Sequence, residues 1–302
     1  MRCSGFAKYI QVRDIMKLSD LFKNDKPTLS FEVFPPKTSD LYEKVEQAAL
    51  DIAKICPDYM SVTYGAGGGT SQYTIAIAKD IEKTYSVPTL AHLTCVSSSK
   101  ETVRAQLEKL RAEGIENILA LRGDIPKDGV VSTDYKYASQ LIEEIVDFGG
   151  FCIGGACYPE GHLESESLDE DIVNIGKKVE AGCSFLTTQM FFNNDILYSY
   201  IDKLHRKGIF VPVVAGIMPI TNAKQIMRSC ELSGTVLPKR FIKIAERYGD
   251  NPAAMKQAGI AYATEQIIDL YASGIRNVHV YSMNKPDVAA QIQANLSEII
   301  KG

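Results

Sequence analysis

The chain has no tryptophan and only four histidines among its 302 residues, and neither scarcity excludes a class of function. The cysteines are more informative. There are seven of them, an odd number in a long chain, and no Cys-x-x-Cys pair occurs. That rules out a disulfide framework and the usual paired zinc ligands. Cys56, Cys95, Cys152, Cys157 and Cys183 lie in or beside apolar runs, where a reduced thiol packs as a small core side chain. A reducing cytoplasm is the expected location. Residues 1–24 mix basic, acidic and apolar side chains, so a signal peptide is not expected there. The most apolar run, Val211 to Ile220, contains Pro212 and Pro219 and falls far short of the roughly 20 residues a bilayer requires. Nor is there an excess of basic charge. A net charge of −4 argues against nucleic acid or an anionic membrane as an obligate partner.

With 45% hydrophobic and 23% charged residues, the chain has an ordinary globular composition, sufficient for one large core or two modest ones. An amphipathic segment comes first, with Ile15, Leu18, Leu21 and Phe22 spaced for one helix face. From there β-rich runs and helical periods alternate without a break. Strands are expected at Leu29–Phe34, Tyr59–Tyr64, Thr89–Val96, Asn117–Leu121, Phe151–Cys157, Phe185–Met190, Val211–Ile217 and Val278–Ser282. A helix follows each, and extra helical material lies at 238–248 and 252–273. Eight such units predict one closed (β/α)8 barrel domain over residues 1–302, with 1–24 as a helical extension. An open doubly wound sheet is the alternative. It would more often show a glycine fingerprint after its first strand, where this chain has Pro35-Pro36.

In such a barrel the site lies at the carboxyl ends of the strands. Those ends carry Glu32, then Thr63 and Tyr64, then His92 and Thr94, then Arg122, Gly123 and Asp124. Tyr158 and His162, Thr188 and Gln189, Gly216 and Met218, and Tyr281 and Asn284 complete the ring. One acid in an apolar strand reads as a structural salt bridge. A ring of polar groups at one end of eight strands reads as an enzyme.

Three local patterns remain open on the residues alone. Gly65-Ala66-Gly67-Gly68-Gly69-Thr70 has threonine where a dinucleotide fingerprint needs glycine or alanine, and it lacks the Gly-Lys-Ser/Thr ending of a P-loop. It is read as a turn that lets a flat or phosphorylated ligand approach the backbone. Cys152, Cys157 and His162 suggest a metal, but the two cysteines stand an odd number apart on one strand and so face opposite sides. No metal is expected. Asp171, Asn174 and Lys178, with Lys177 beside them, form a stripe on the fifth helix. By default that is a solvated face; the alternative is a grip on a diphosphate-bearing cofactor.

Six runs then occur in order. They are Ser-Phe-Glu-Val-Phe-Pro-Pro-Lys at 30–37, Val-Thr-Tyr-Gly-Ala-Gly-Gly at 62–68, His-Leu-Thr-Cys at 92–95, Leu-Ala-Leu-Arg-Gly-Asp at 119–124, Cys-Tyr-Pro-Glu-Gly-His at 157–162 and Thr-Gln-Met-Phe-Phe at 188–192. Together they resemble the bacterial 5,10-methylenetetrahydrofolate reductases, over about residues 29 to 286. The resemblance implies a (β/α)8 barrel holding FAD noncovalently, reduced by NADH or NADPH and reoxidised by methylenetetrahydrofolate in ping-pong. It casts Glu32 as general acid at the folate N10, and Asp124 as the acid beside flavin and pterin. Gln189, Gln225 and Lys285 become substrate contacts. FAD would be held by Thr63, Tyr64, Ala66, His92, Arg122, Gly123, Asp124, Ala138, Tyr158, His162, Asp171, Asn174, Lys177 and Lys178.

Three positions depart from the better-known bacterial pattern. Lys285 and Lys177 stand where those proteins carry arginine, and Ser229 stands where they carry an aromatic residue. The resemblance also implies one-carbon and methionine metabolism and a homo-oligomer; no regulatory domain, and hence no S-adenosylmethionine control, is expected. The competing readings are a flavoprotein of this fold fed by a partner electron-transfer protein, with the N-terminal extension as its docking surface, and a different enzyme on a similar barrel, either a flavin-dependent proline dehydrogenase type or a pterin-binding methyltransferase. A noncatalytic flavin- or folate-binding subunit is the third.

Overall fold

The structure is a computed structural model, and it describes residues 16–64, 71–125 and 131–301. Eight parallel strands close in sequence order into a barrel: β1 Thr28–Val33, β2 Met60–Val62, β3 Thr89–Thr94, β4 Asn117–Leu121, β5 Cys152–Cys157, β6 Phe185–Thr188, β7 Val213–Ile217 and β8 Asn277–Tyr281. Closure comes from β8 pairing with β1, with Ser30 opposite His279 and Glu32 opposite Tyr281. The barrel expectation holds. Several strands are shorter than their β-rich runs, because the last residues leave the ladder at the mouth and become loop.

The helices are α1 Leu18–Leu21, α2 Tyr42–Ala53, α3 Ser71–Tyr85, α4 Lys100–Ala112, α5 Ala138–Phe148, α6 Leu168–Glu180, α7 Asn194–Arg206, α8 Ala223–Ser233, α9 Lys239–Tyr248, α10 Pro252–Ala272 and α11 Pro286–Asn295. Their starts follow local chemistry. Ser99 caps α4 by accepting the Thr102 amide, Ser167 caps α6 through Glu170, and Asn251 caps α10 through Ala254. Each cap satisfies an amide that the helix leaves orphaned.

Outward-facing strand residues such as Leu29, Phe31 and Val33 pack against the helix layer in the main core. Polar residues at the alternate positions of β1 face the lumen, as the period of two dictates. Cys152 and Cys157 separate in this way. The Cys152 thiol sits at the barrel floor, where it accepts the Ser19 amide, and Cys157 is fully buried in the helix-facing core.

The floor is made by the N-terminal segment. Leu18, Leu21 and Phe22 pack against Tyr59, Leu90, Leu119, Cys152, Phe185 and Val214. The Leu18 amide donates to Asn117 Oδ1 at 2.9 Å, and Asn117 Nδ2 donates to Thr89 O at 3.2 Å. From Leu18 onward the periodic stretch is a single turn of helix that plugs the amino end of the barrel, and Ile15 lies outside the described residues. Leu18, Leu21 and Phe22 are covered by the barrel itself, while Asp20 between them is exposed. No helix among the described residues is long and apolar enough to cross a membrane.

Candidate active site

The carboxyl ends of the strands gather a polar interior. Glu32, one residue before the end of β1, points into the lumen with its side chain 19% exposed. Its Oε2 lies 3.4 Å from Ser61 Oγ, 3.6 Å from His92 Nε2 and 3.9 Å from His279 Nε2. Beneath it the imidazole of His279 is 1% exposed. Its Nδ1 is 2.8 Å from Ser30 Oγ and its Nε2 is 2.9 Å from Ser61 Oγ. The Tyr59 ring stacks on the same imidazole, with centroids 5.6 Å apart. Burial pushes His92 down to about 4, so it faces Glu32 as a neutral ring.

Tyr281 ends β8 and donates to Thr188 O at 2.5 Å. That bridge crosses over Gly216, where any Cβ would collide with Thr188 O and the Tyr281 hydroxyl. Gln189 follows directly. Its amide donates to Cys157 O at 2.7 Å and its Oε1 accepts from the Met190 amide at 2.9 Å. On the far side of the mouth, Lys285 donates to Thr221 Oγ1 at 2.6 Å.

The second half of the rim is built after β4 and β5. Arg122 grips Glu164 in a bidentate pair at 2.5 and 2.6 Å, and its carbonyl accepts the amides of Cys95 and Val96. Gly123 has φ +88, and a Cβ there would press within 3.0 Å of Thr94; glycine is the residue that tolerates both conditions. Asp124 follows, exposed at the rim. The edge of one ring of Tyr158 and His162 meets the face of the other, with centroids 4.6 Å apart.

Along α6 the stripe turns inward instead of into solvent. Asp171 is 4% exposed and its Oδ2 has no hydrogen-bond partner; burial pushes it up to about 6. Lys178 donates to Ala156 O at 2.7 Å, and burial lowers it from the ordinary lysine range. Lys177 stays outside and donates to Asn174 Oδ1. Ala138 opens α5, buried, and the carbonyl of Thr63 accepts the Thr74 hydroxyl. Tyr64 is half-buried. Ala66 and the side chain of Gln225 lie outside the described residues.

An unpartnered carboxyl oxygen on Asp171 and the buried Lys178 ammonium are costly in a structural wall. They suit a ligand that brings hydroxyl groups and anionic oxygens, as a dinucleotide does. The residues expected at the cofactor thus fit FAD. Sequence reasoning missed Ser30, Ser61, His279 and Glu164. The first three each interrupt an apolar run at a lumen-facing position, which was the available signal; Glu164 lies in a polar loop and gave none.

The chain is similar to known proteins along nearly its full length. A family described as methylenetetrahydrofolate reductase matches residues 17–297. "Methylenetetrahydrofolate reductase 1" of Schizosaccharomyces pombe is 36% identical over 282 residues, covering 89% of this chain and 46% of its own length. "5,10-methylenetetrahydrofolate reductase" of Pectobacterium carotovorum is 31% identical over 264 residues, covering 87% of this chain and 88% of its own. The chain thus spans about half of the fungal relative and most of the bacterial one. Among solved structures, an uncharacterized protein from Clostridium thermocellum that binds two copies of 5-methyl-5,6,7,8-tetrahydrofolic acid shares the fold. Its TM-score is 0.63 at 14% identity, over 95% of this chain and 99% of that one.

Proposed function

The chain belongs to the methylenetetrahydrofolate reductase family, and from that premise we propose that it reduces 5,10-methylenetetrahydrofolate to 5-methyltetrahydrofolate, with electrons from a reduced nicotinamide and FAD as the resident cofactor. The barrel is the catalytic domain. The observation that carries this reading is Glu32, a carboxyl in the lumen between Ser61 and a neutral His92.

FAD, when bound, supplies the hydride relay between two substrates that use the mouth in turn. Asp171, Asn174, Lys177, Lys178, Tyr158, His162 and Arg122 would hold its adenylate and diphosphate side, and Thr63, Tyr64, His92 and Gly123 the flavin side. Glu32 holds a proton at its carboxyl and donates it to the folate N10, opening the five-membered ring to the 5-iminium cation that accepts hydride. Asp124 places negative charge near that cation. Gln189, with its Oε1 tied to the Met190 amide, presents its NH2 group to whichever substrate is in place. Lys285, close to Thr221 at the β7 and β8 side of the mouth, would pair with a carboxylate of the folate tail.

The test is anaerobic mixing of the flavin-loaded protein with NADH or NADPH, then with methylenetetrahydrofolate, followed by flavin absorbance. Bleaching and then reoxidation are expected. Glu32→Gln should bleach yet reoxidise at least about a hundredfold more slowly. Reduction by 5-methyltetrahydrofolate without bleaching by either nicotinamide would instead identify a partner-fed enzyme, and a protein that holds no flavin would overturn the proposal.

A further inference from the structure

β1 is supported past the end of its ladder. Its pairing with β8 runs to Glu32 opposite Tyr281, and on the other flank the Val33 carbonyl accepts the Thr63 amide at 3.0 Å. Further on, Pro35 and Pro36 have no N–H to give. The end of the strand that carries Glu32 would therefore fray on its β8 side. Two side chains from the turn after β8 stand in for the missing rungs. Ser282 Oγ donates to Glu32 O at 2.6 Å. Asn284 takes both backbone groups of Phe34, donating to its carbonyl and accepting its amide, each at 2.9 Å. These directions are fixed, because a backbone carbonyl only accepts and a backbone N–H only donates.

The turn is strained in order to deliver them. Met283 and Asn284 stand in succession at φ 54 and 52, in the left-handed region that residues other than glycine seldom adopt. Asparagine tolerates that region, but methionine does not favour it, and the Met283 side chain is exposed. Such a conformation persists only where neighbouring contacts over-determine it. Here those contacts are the ones to β1. Ser282 is fully buried, and the Lys285 amide closes the turn by donating to Ser282 O at 3.1 Å.

A tie between two strand ends is ordinary by itself. What distinguishes this one is the peptide it holds. The Glu32 carboxyl is only loosely gripped, with Ser61 Oγ 3.4 Å and His92 Nε2 3.6 Å away. Its place in the lumen is therefore set mainly by its main chain. Proton transfer needs the carboxyl within roughly 2.6–3.2 Å of the acceptor, and a displacement of about 1 Å can slow a reaction by about a hundredfold.

We propose that Ser282 and Asn284 are positioning residues for the folate half of the reaction: they fix the main chain of Glu32 and Phe34 so that the carboxyl meets its proton acceptor. This rests on the general-acid reading of Glu32. Neither residue gives a proton, and the nicotinamide half, which does not use Glu32, lies outside their reach. Lys285, the residue proposed for the folate tail, leaves the same turn, so one element sets both the tail and the acid.

The test is stopped flow on the flavin-loaded protein. Reduction by NADH or NADPH and reoxidation by methylenetetrahydrofolate are measured separately in wild type, Ser282→Ala, Glu32→Gln and the double variant. Ser282→Ala should lower the limiting rate of reoxidation about tenfold relative to that of reduction, with the half-saturating folate concentration within about twofold of wild type. In the Glu32→Gln background the same substitution should cost less than about twofold, since a clamp that acts through Glu32 has nothing left to place. A merely structural tie would slow both backgrounds alike. Equal losses in the two backgrounds would therefore overturn the proposal, as would a loss confined to folate affinity. Asn284→Gly, which keeps the backbone freedom, should show the same pattern and decides the matter if Ser282→Ala does not fold. Glu32→Gln reoxidising as fast as wild type would overturn the general-acid reading and the proposal with it. A slow Glu32→Gln beside an unaffected Ser282→Ala would overturn the clamp alone.

Discussion

The side-chain amide of Asn284 holds both backbone groups of Phe34. Its Nδ2 donates to Phe34 O at 2.9 Å, and its Oδ1 accepts the Phe34 amide at 2.9 Å. Asn284 itself sits at φ 52, in the left-handed region that asparagine tolerates better than most residues. This clamp ties the end of β1 to the loop after β8, two residues beyond Glu32 and just ahead of Pro35-Pro36. Asn284→Ala loses both bonds and places a Cβ residue at an unfavourable φ, so a loss of about 2–4 kcal/mol is expected in urea unfolding. Asn284→Gly keeps the backbone freedom and should lose only the bonding part, about 1–2 kcal/mol. Equal losses in the two variants would mean that the backbone conformation contributes nothing.

Gly216 is where Tyr281 reaches across the mouth to Thr188. A methyl group there meets both Thr188 O and the Tyr281 hydroxyl, so Gly216→Ala must push the bridge apart. Overpacking of this kind costs about 1–3 kcal/mol. It should also displace Gln189, the next residue, and lower folate-side turnover. Tyr281→Phe removes one hydrogen bond without a clash and should cost about 1 kcal/mol, with turnover less affected. Thermal melts beside initial rates separate the two, and a Gly216→Ala variant as active as wild type would refute the crossing.

Asp171 and His92 give the flavin-free protein opposing pH dependences. Asp171 is raised from 3.8 to about 6 by burial. The folded state thus binds more protons than the unfolded one between those values, and stability falls as pH rises through about 6. His92 is lowered from 6.5 to about 4 by burial, so its contribution is present above about 6.5 and is lost as pH falls toward about 4. Asp171→Asn should remove the first slope and raise the melting temperature of the flavin-free protein at neutral pH, a gain on the order of 1–2 kcal/mol. It should also weaken flavin retention. His92→Asn should leave stability falling steadily from about pH 4 to about pH 6. If neither profile changes, the two buried groups do not titrate as argued.

Much of this fold could be read from local pattern, because each βα unit carries its own period and turn residues. The rim was legible for the same reason: Glu32, His92, Arg122 and Tyr158 all follow or end an apolar strand. What local pattern could not supply was partnership across the barrel. Ser30, Ser61 and His279 come from β1, β2 and β8 and meet only because the last strand pairs with the first. A serine or histidine inside an apolar run looks like ordinary packing until that closure is known. The α6 stripe was ambiguous for a related reason. Whether Asp171 faces solvent or the barrel depends on how α6 sits against β5, and its own spacing says nothing about that.

The floor of the barrel yields the last prediction. Phe22 meets Phe185 and Tyr59 with ring centroids 5.0 and 5.9 Å apart, both near edge-to-face, and Leu18 is fully buried beside them. Phe22→Ala should therefore cost about 3–5 kcal/mol and Leu18→Ala about 2–5 kcal/mol, since each leaves a cavity that the strand ends cannot close. The two share one cluster, so the double variant should depart from additivity. Lys23→Ala is the control one residue further on. Its pair with Asp20 is solvent-exposed, and such pairs add little to stability. Tyr59 stands between the plug and His279, so folate-side turnover at low temperature should survive Phe22→Ala within a few-fold even as the melting point drops. If Phe22→Ala unfolds no more easily than Lys23→Ala, the segment is not the floor of the barrel.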